Sequence, residues 1–245
     1  SGQCPTMATC GIGSGITSGA QAQAEWNEWH HKRAFVLRAS QPFEVLETLA
    51  LESGRFHHAD EHLARMGQAA MHFGYAWNAH AVRQELQVLA LQHLRGLWRV
   101  RLLLRPDGHV HAQAFALQPT PEPVHLQLAD RPLQEAHSEF VRYKTTRRAH
   151  YAAFEPTVGG VFDTGLWNAE GEITECTRGN VAMLLDGRWV TPPLSCGLLP
   201  GVGRAIALRE GRVSEAVVRV EEVPRVQAWA FVNSLRGWLA AELVP

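Results

Sequence analysis

Gln118-Pro-Thr-Pro-Glu-Pro123 is the one proline-dense stretch inside this 245-residue sequence. Proline fixes φ and removes a backbone donor, so the stretch reads as a stiff, extended connector between two parts of the chain. On its N-terminal side, Phe43–Leu51 has the composition of a strand, and Glu52-Ser-Gly-Arg55 of a turn into a short partner. Asp60 is the expected N-cap of a helix over 61–73, with Leu63, Met66, Ala70 and Phe73 on one face and Gly74 at its end. Asn78 is the expected cap of a second helix, with Val82, Leu86, Leu89 and Leu94 inward and Gly96 closing it. Strands over 97–104 and 109–117 follow, joined by Arg-Pro-Asp-Gly. On the C-terminal side come short strands with hairpin signals at Asn168-Ala-Glu-Gly171 and Asp186-Gly187, a helix at 202–210 and a short one near 222–229. The expected fold is α+β, with two layered subdomains, 34–120 and 121–245, behind a leader of residues 1–33.

Composition bounds the function. Hydrophobic residues make up 46% and charged residues 19%, which excludes a disordered or rod-like chain. The formal net charge is −1, so no global field recruits nucleic acid or an anionic membrane. No apolar run approaches the roughly 18 residues of a membrane span. Cys4, Cys10, Cys176 and Cys196 lack zinc-site spacing and are expected as reduced thiols in a cytoplasmic protein with no secretory signal. There is no H-E-x-x-H among the 13 histidines, and no metal site is expected.

Only two of the 23 basic residues are lysines, Lys32 and Lys144, so an amine nucleophile has two candidates. Arg142-Tyr-Lys-Thr-Thr-Arg-Arg148 surrounds Lys144 with cations, which favour the neutral amine; the alternative is a solvated basic strand edge. In Gly171-Glu-Ile-Thr-Glu-Cys-Thr-Arg-Gly-Asn180, strand alternation places Glu175 on the same face as Ile173. Glu175 is then a buried carboxylate in need of a cation, or else part of a surface hairpin. Thr191-Pro-Pro-Leu-Ser-Cys-Gly-Leu-Leu-Pro-Gly-Val-Gly-Arg204 runs from a loop into a helix whose first amides can meet an anion. Asn233-Ser-Leu-Arg-Gly237 is a further small polar cluster. One lysine, one inward carboxylate and one anion-ready helix start match the needs of pyridoxal phosphate.

These runs, Tyr143-Lys-Thr145, Asn168–Asn180, Thr191–Arg204 and Asn233–Gly237, in this order, resemble the class IV (fold type IV) pyridoxal-phosphate family. Leu46-Glu-Thr-Leu-Ala-Leu51 and His62-Leu-Ala-Arg65 resemble its small domain, so the similarity covers roughly residues 43–245. The family includes branched-chain and D-amino-acid aminotransferases and aminodeoxychorismate lyase. The resemblance implies that Lys144 holds the cofactor as a Schiff base and acts as the proton-transfer base, and that Glu175 faces the pyridine nitrogen. Arg65 would contact the phosphate, with backbone at Val202 and Gly203 and with Ser234, while Thr48 would assist elimination and Asn180 would brace a hairpin. For the anionic substrate, Arg142, Arg147 and Arg178 are candidates by proximity in sequence. A homodimer is also implied.

The leader carries a second resemblance. Gly11-Ile-Gly-Ser-Gly-Ile16, then Glu25-Trp-Asn-Glu28 and Lys32, resembles the closing segment of chorismate-binding enzymes such as aminodeoxychorismate synthase component I. Ser18-Gly-Ala-Gln-Ala-Gln23 departs from that pattern, so the leader is expected to be a remnant or the C-terminal edge of a fused synthase, without synthase activity. This context favours a lyase that makes 4-aminobenzoate and pyruvate from 4-amino-4-deoxychorismate for folate precursor synthesis. The alternatives are a class IV aminotransferase for a D- or branched-chain amino acid, and a non-catalytic remnant of a synthase–lyase fusion.

Overall fold

Val45–Glu52 forms strand β1, in which Val45, Leu49 and Leu51 are buried and Thr48 is half-buried. The two-residue turn Ser53-Gly54 has positive φ at both positions, the geometry that matches hairpin twist, and leads into β2, Arg55–Phe56. Two helices follow, α1 (Ala59–Phe73) and α2 (Ala79–Gln92). They cover one face of an antiparallel sheet of order β2-β1-β3-β4, where β3 is Leu97–Leu104 and β4 is Val110–Ala116. Leu49, Leu51, Leu63, Met66, Val82, Leu86, Leu102 and Leu104 meet in its core. Each large side chain fully buried there contributes about 1.5–3 kcal/mol.

The computed structural model describes residues 41–157 and 159–244. The leader of residues 1–33, with Cys4, Cys10 and Lys32, lies outside the described residues. Both sheets fall within one compact unit, Glu44–Pro245. The second sheet is mixed and eight-stranded. Its strands are β5 (Val124–Leu128), β6 (Asp163–Trp167), β7 (Ile173–Cys176), β8 (Asn180–Leu185), β9 (Arg188–Thr191), β10 (Ser214–Glu215), β11 (Ala228–Asn233) and β12 (Gly237–Leu243). Their order is β10-β9-β8-β11-β12-β5-β6-β7, with parallel pairing only at β9/β10, β5/β12 and β5/β6. Residues 117–123 cross from one sheet to the other. Three helices serve this half: α3 (Glu139–Arg142), α4 (Ala149–Ala152) and α5 (Val202–Arg209).

Several local expectations are corrected. Helix α1 begins one residue before Asp60, because His58 takes the left-handed conformation and acts as its N-cap. Asp60 sits in the first turn, where its charge still favours the helix dipole. Gly74, in the left-handed region, closes the helix as expected. Asn78 caps α2 by accepting from the amides of His80 and Ala81. That helix ends at Gln92, so Leu94 is exposed and not inward, and Gly96 lies beyond its end. The helix near 222–229 is a 3-10 turn over Val220–Arg225; it contains Pro224 and gives way to β11 at Ala228. Cys176 and Cys196 are free and buried. Among the described residues no helix is long and apolar enough to cross a membrane.

Candidate active site

The segment bearing Lys144 is stitched beside β1. Leu46 N–H donates to Lys144 O at 2.9 Å, Thr146 N–H donates to Glu44 O at 2.9 Å, and Thr146 Oγ1 accepts from Glu44 N–H at 3.0 Å. Helix α3 ends immediately before this extended stretch. Lys144 therefore enters a cavity of about 300 Å³ that is also lined by Thr48, Arg65, Glu175, Val202 and Ser234. Residues from both sheets meet there, across almost two hundred positions of sequence.

Burial pushes the Lys144 amine down to about 7, and the guanidinium groups of Arg148 and Arg65 push in the same direction. Glu47 and Glu175 oppose the shift. The segment is thus not a solvated strand edge. Glu175 moves the other way: burial raises its carboxyl to about 7, against hydrogen bonds from Tyr151 and the Leu199 amide. Tyr151 Oη donates to Glu175 Oε1 at 2.6 Å, and Leu199 N–H donates to Oε2 at 3.1 Å. These bonds fix the carboxylate plane, and the surface-hairpin alternative falls away. All four residues of β7 are buried, so alternation alone did not distinguish its two faces.

Arg65 is held from behind. Its Nε and Nη2 donate to Glu47 Oε1 and Oε2 at 2.8 and 2.6 Å, and its Nη1 donates to Pro200 O at 3.1 Å. Two of its five N–H donors stay uncommitted to these partners and can face an anion. Burial would raise the Glu47 carboxyl, yet Arg65 and then His62 hold it down at about 2. His62 Nδ1 lies 2.7 Å from Glu47 Oε2 and the residue is fully buried.

The start of α5 has no side-chain cap, so its first amides are open to an anion. Two glycines let neighbouring segments pack closely against this helix start. A Cβ at Gly203 would lie 2.6 Å from the carbonyl carbon of Asn233 and 2.9 Å from Ser234 N; a Cβ at Gly201 would collide with Asn180 Oδ1. Asn180 Nδ2 donates to Leu199 O at 3.0 Å, so Asn180 braces the loop before α5 rather than a hairpin turn. Gly203 itself does not line the cavity; it lines a neighbouring one behind the Asn233–Arg236 loop.

Of the three arginines expected near the substrate, Arg178 lines the cavity, whereas Arg142 and Arg147 do not. Arg147 lies over the Phe140 ring at 4.6 Å. Arg99 and Arg236 line it without having been singled out for this role, and so does Tyr151. Their contacts link residues far apart in sequence, which leaves no local pattern to read. Glu47 had a local signal, a charged residue on the apolar face between Val45 and Leu49.

The cavity can therefore hold a nucleophilic amine, a buried cation and an anion at once. The family model for class IV amino-transferases matches residues 44–244. A provisionally assigned aminodeoxychorismate lyase of Schizosaccharomyces pombe is 31% identical over 159 residues, covering 63% of this chain and 68% of that protein. The structure of a provisionally assigned amino-acid aminotransferase from Mesorhizobium loti is similar with a TM-score of 0.76 and 38% identity, over 82% of this chain and 100% of that one. The pyridoxal-phosphate-bound form of a hypothetical aminotransferase from Mycobacterium tuberculosis has the same fold, with a TM-score of 0.67 and 20% identity over 84% of this chain and 83% of that one. On the match of its residues 44–244, this chain belongs to the class IV aminotransferase family.

Proposed function

We propose that this chain is a pyridoxal-phosphate-dependent lyase that converts 4-amino-4-deoxychorismate into 4-aminobenzoate and pyruvate. The observation that carries the cofactor chemistry of this reading is the pair of buried groups on one cavity, a Lys144 amine brought down to about 7 and a Glu175 carboxyl brought up to about 7; Thr48 on the same cavity is what favours elimination. The donor set fits the cofactor: an under-compensated buried carboxylate suits a cationic ring nitrogen, and Arg65 with an uncapped helix start suits a phosphate.

Lys144 would hold the cofactor through Nζ, and Glu175 would face its ring nitrogen. Arg65, the Val202 amide and the Ser234 hydroxyl would hold its phosphate. When bound, the cofactor supplies an electron sink to the carbon that carries the substrate amine. An amine that titrates near 7 can both take and return a proton, so Lys144 Nζ can remove the ring proton of the substrate. Thr48, on the cavity face of β1, can donate a hydrogen bond to the oxygen that leaves with the enolpyruvyl group. Leu46, Leu199 and Phe231 line the same space and limit water. Aromatisation of the ring supplies the driving force.

The Schizosaccharomyces pombe relative and Thr48 support lyase chemistry, and the resemblance of the leader points the same way. The 38% identity to the Mesorhizobium loti protein favours a second reading, a class IV aminotransferase using the same Lys144 and Glu175. Supplying 4-amino-4-deoxychorismate and following pyruvate and 4-aminobenzoate separates them. Pyruvate released with no added 2-oxo acid supports the lyase. Amino-group transfer from an amino acid to a 2-oxo acid, without pyruvate release, overturns it. A homodimer belongs to the same proposal, and sedimentation of the holoenzyme as a monomer would remove it.

A further inference from the structure

We infer that Arg178 and Arg236, with Arg99 beside them, form a carboxylate clamp for the ring carboxylate that the substrate keeps in 4-aminobenzoate. The inference rests on the lyase reading, in which each product carries one carboxylate and the substrate therefore enters as a dianion.

All three arginines line the Lys144 cavity. Asn233 ties two of them together: its Nδ2 donates to Arg178 O at 3.4 Å, and its Oδ1 accepts from Arg236 N–H at 2.8 Å. Arg236 also reaches the crossover between the sheets, where its Nη1 donates to Gln118 O at 3.3 Å and to Thr120 Oγ1. Both bonds use Nη1, which leaves Nε and Nη2, the fork that grips a carboxylate with two parallel bonds. The Arg178 guanidinium lies 5.1 Å over the Phe162 ring, and that of Arg99 lies 4.7 Å over the Phe115 ring. Each cation is thus pre-oriented.

Charge compensation is incomplete at this end. Arg178 has Asp163, whose Oδ2 lies 3.4 Å from Nε, but that carboxylate also accepts from the amides of Thr164, Thr177 and Arg178 and from the Thr177 hydroxyl. Among the described residues no carboxylate forms an ion pair with Arg99 or Arg236. Burial lowers the Arg236 pKa, and its neighbours Arg178 and Arg99 lower it further. The cavity lining as a whole has six basic side chains, Lys144 and five arginines, against the single acid Glu175. A cofactor phosphate would answer Arg65, and Arg148 is occupied by Thr177 O and the Tyr151 ring. What remains is cationic and faces the substrate.

The test is calorimetric binding of 4-aminobenzoate and of its neutral isostere 4-aminobenzamide to the holoenzyme. The wild type is expected to prefer the carboxylate by roughly tenfold or more, the scale of one charge-assisted hydrogen bond. Arg236→Gln and Arg178→Gln should each bring that ratio close to one, with amide affinity and cofactor absorbance unchanged, and Arg178→Gln should also lower the Tm because the buried Asp163 loses its cation. No preference in the wild type, or an unchanged ratio in both variants, overturns the clamp. Should those variants unfold, the exposed Arg99→Gln decides, a reduced ratio supporting the clamp and an unaltered one overturning it. A wild type that releases no pyruvate from 4-amino-4-deoxychorismate would sink the lyase reading separately, because the carboxylate-to-amide ratio does not depend on turnover.

Discussion

Glu47 on β1 and Glu175 on β7 are both withdrawn from solvent, yet one carboxyl is held at about 2 and the other at about 7. The difference lies in their partners. Glu47 receives two bonds from Arg65 and one contact from His62, all within hydrogen-bond distance. Glu175 receives a phenol and a backbone amide, both neutral, while its cations Arg148 and Lys144 act only through space. Burial of a charge is tolerable where a cation is built in, and unstable where none is. Glu47 is complete within the chain; Glu175 is arranged to be completed by something else. Under the proposed function, that contrast separates the groups that hold the site from the groups that react.

The largest effect tests the reacting side. Lys144→Ala removes the amine that shares the cavity with Glu175, and the expected result is loss of pyruvate release to background. Appreciable residual turnover would mean that the contrast marks no chemistry.

Swapping the two carboxylates for amides should separate them by stability. Glu47→Gln leaves Arg65 short of its counter-charge in a buried setting, and about 3–5 kcal/mol should be lost in urea unfolding. Glu175→Gln in the cofactor-free protein at pH 8 should lose less than about 1 kcal/mol, because it removes a charge that burial already disfavours. With cofactor bound, the same variant should keep the cofactor but react more slowly. Equal destabilisation by both substitutions would erase the distinction.

A pH series of the cofactor-free protein sharpens the comparison. Glu47 has a lowered folded pKa, so its contribution is present above 4.5 and is lost as the pH falls from 4.5 to about 2, a change of about 3 kcal/mol. Glu175 has a raised one, so the folded state binds the extra proton between 4.5 and about 7, and stability falls as the pH rises through that window. Lys144, lowered from 10.5 to about 7, makes stability rise again between about 7 and 10.5. Subtracting variant curves from the wild type isolates each window. A Glu175→Gln difference curve that is flat between pH 4.5 and 7 would contradict the assignment.

How much of this was readable from sequence follows the range of each contact. Lys144 stood out as one of two lysines, and Glu175 as a charge among strand residues; local pattern made both candidates, and the resemblance to the family decided between each and its surface alternative. The helices around Leu63 and Leu86 were legible from their period, although Leu94 was not. The helix yields at His93, whose Nδ1 turns back to Leu89 O, and Leu94 falls outside the periodic face. Asp60 looked like a cap by type, but left-handed His58 had already taken that position. Tyr151 reaches Glu175 across 24 positions and Arg236 reaches Thr120 across 116, separations over which side-chain type alone carries no signal. The site's lysine and carboxylate, and Arg178 among the candidates for the substrate, were therefore named from the sequence, whereas Tyr151, Arg99 and Arg236 were not.

The smallest expected effect concerns the residue beside Glu47. On β1 the pleat sends Glu47 back toward α1, into contact with His62 and Arg65, and turns Thr48 into the Lys144 cavity. One strand thus carries a holding group and a cavity-lining group at adjacent positions. Thr48→Ala should leave the buried ion pair intact, since Glu47 and Arg65 do not touch its hydroxyl, and the Tm should shift by less than about 1 kcal/mol equivalent. If Thr48 helps the enolpyruvyl oxygen depart, elimination should fall by roughly tenfold, the value of one hydrogen bond strengthened in the transition state. Any side transamination by Lys144 and Glu175 should fall less, because no such oxygen leaves. Measuring both rates in one preparation decides the matter: equal losses would make Thr48 a spacer in the cavity wall, and a selective loss of elimination would make it the residue that separates lyase from aminotransferase on this scaffold.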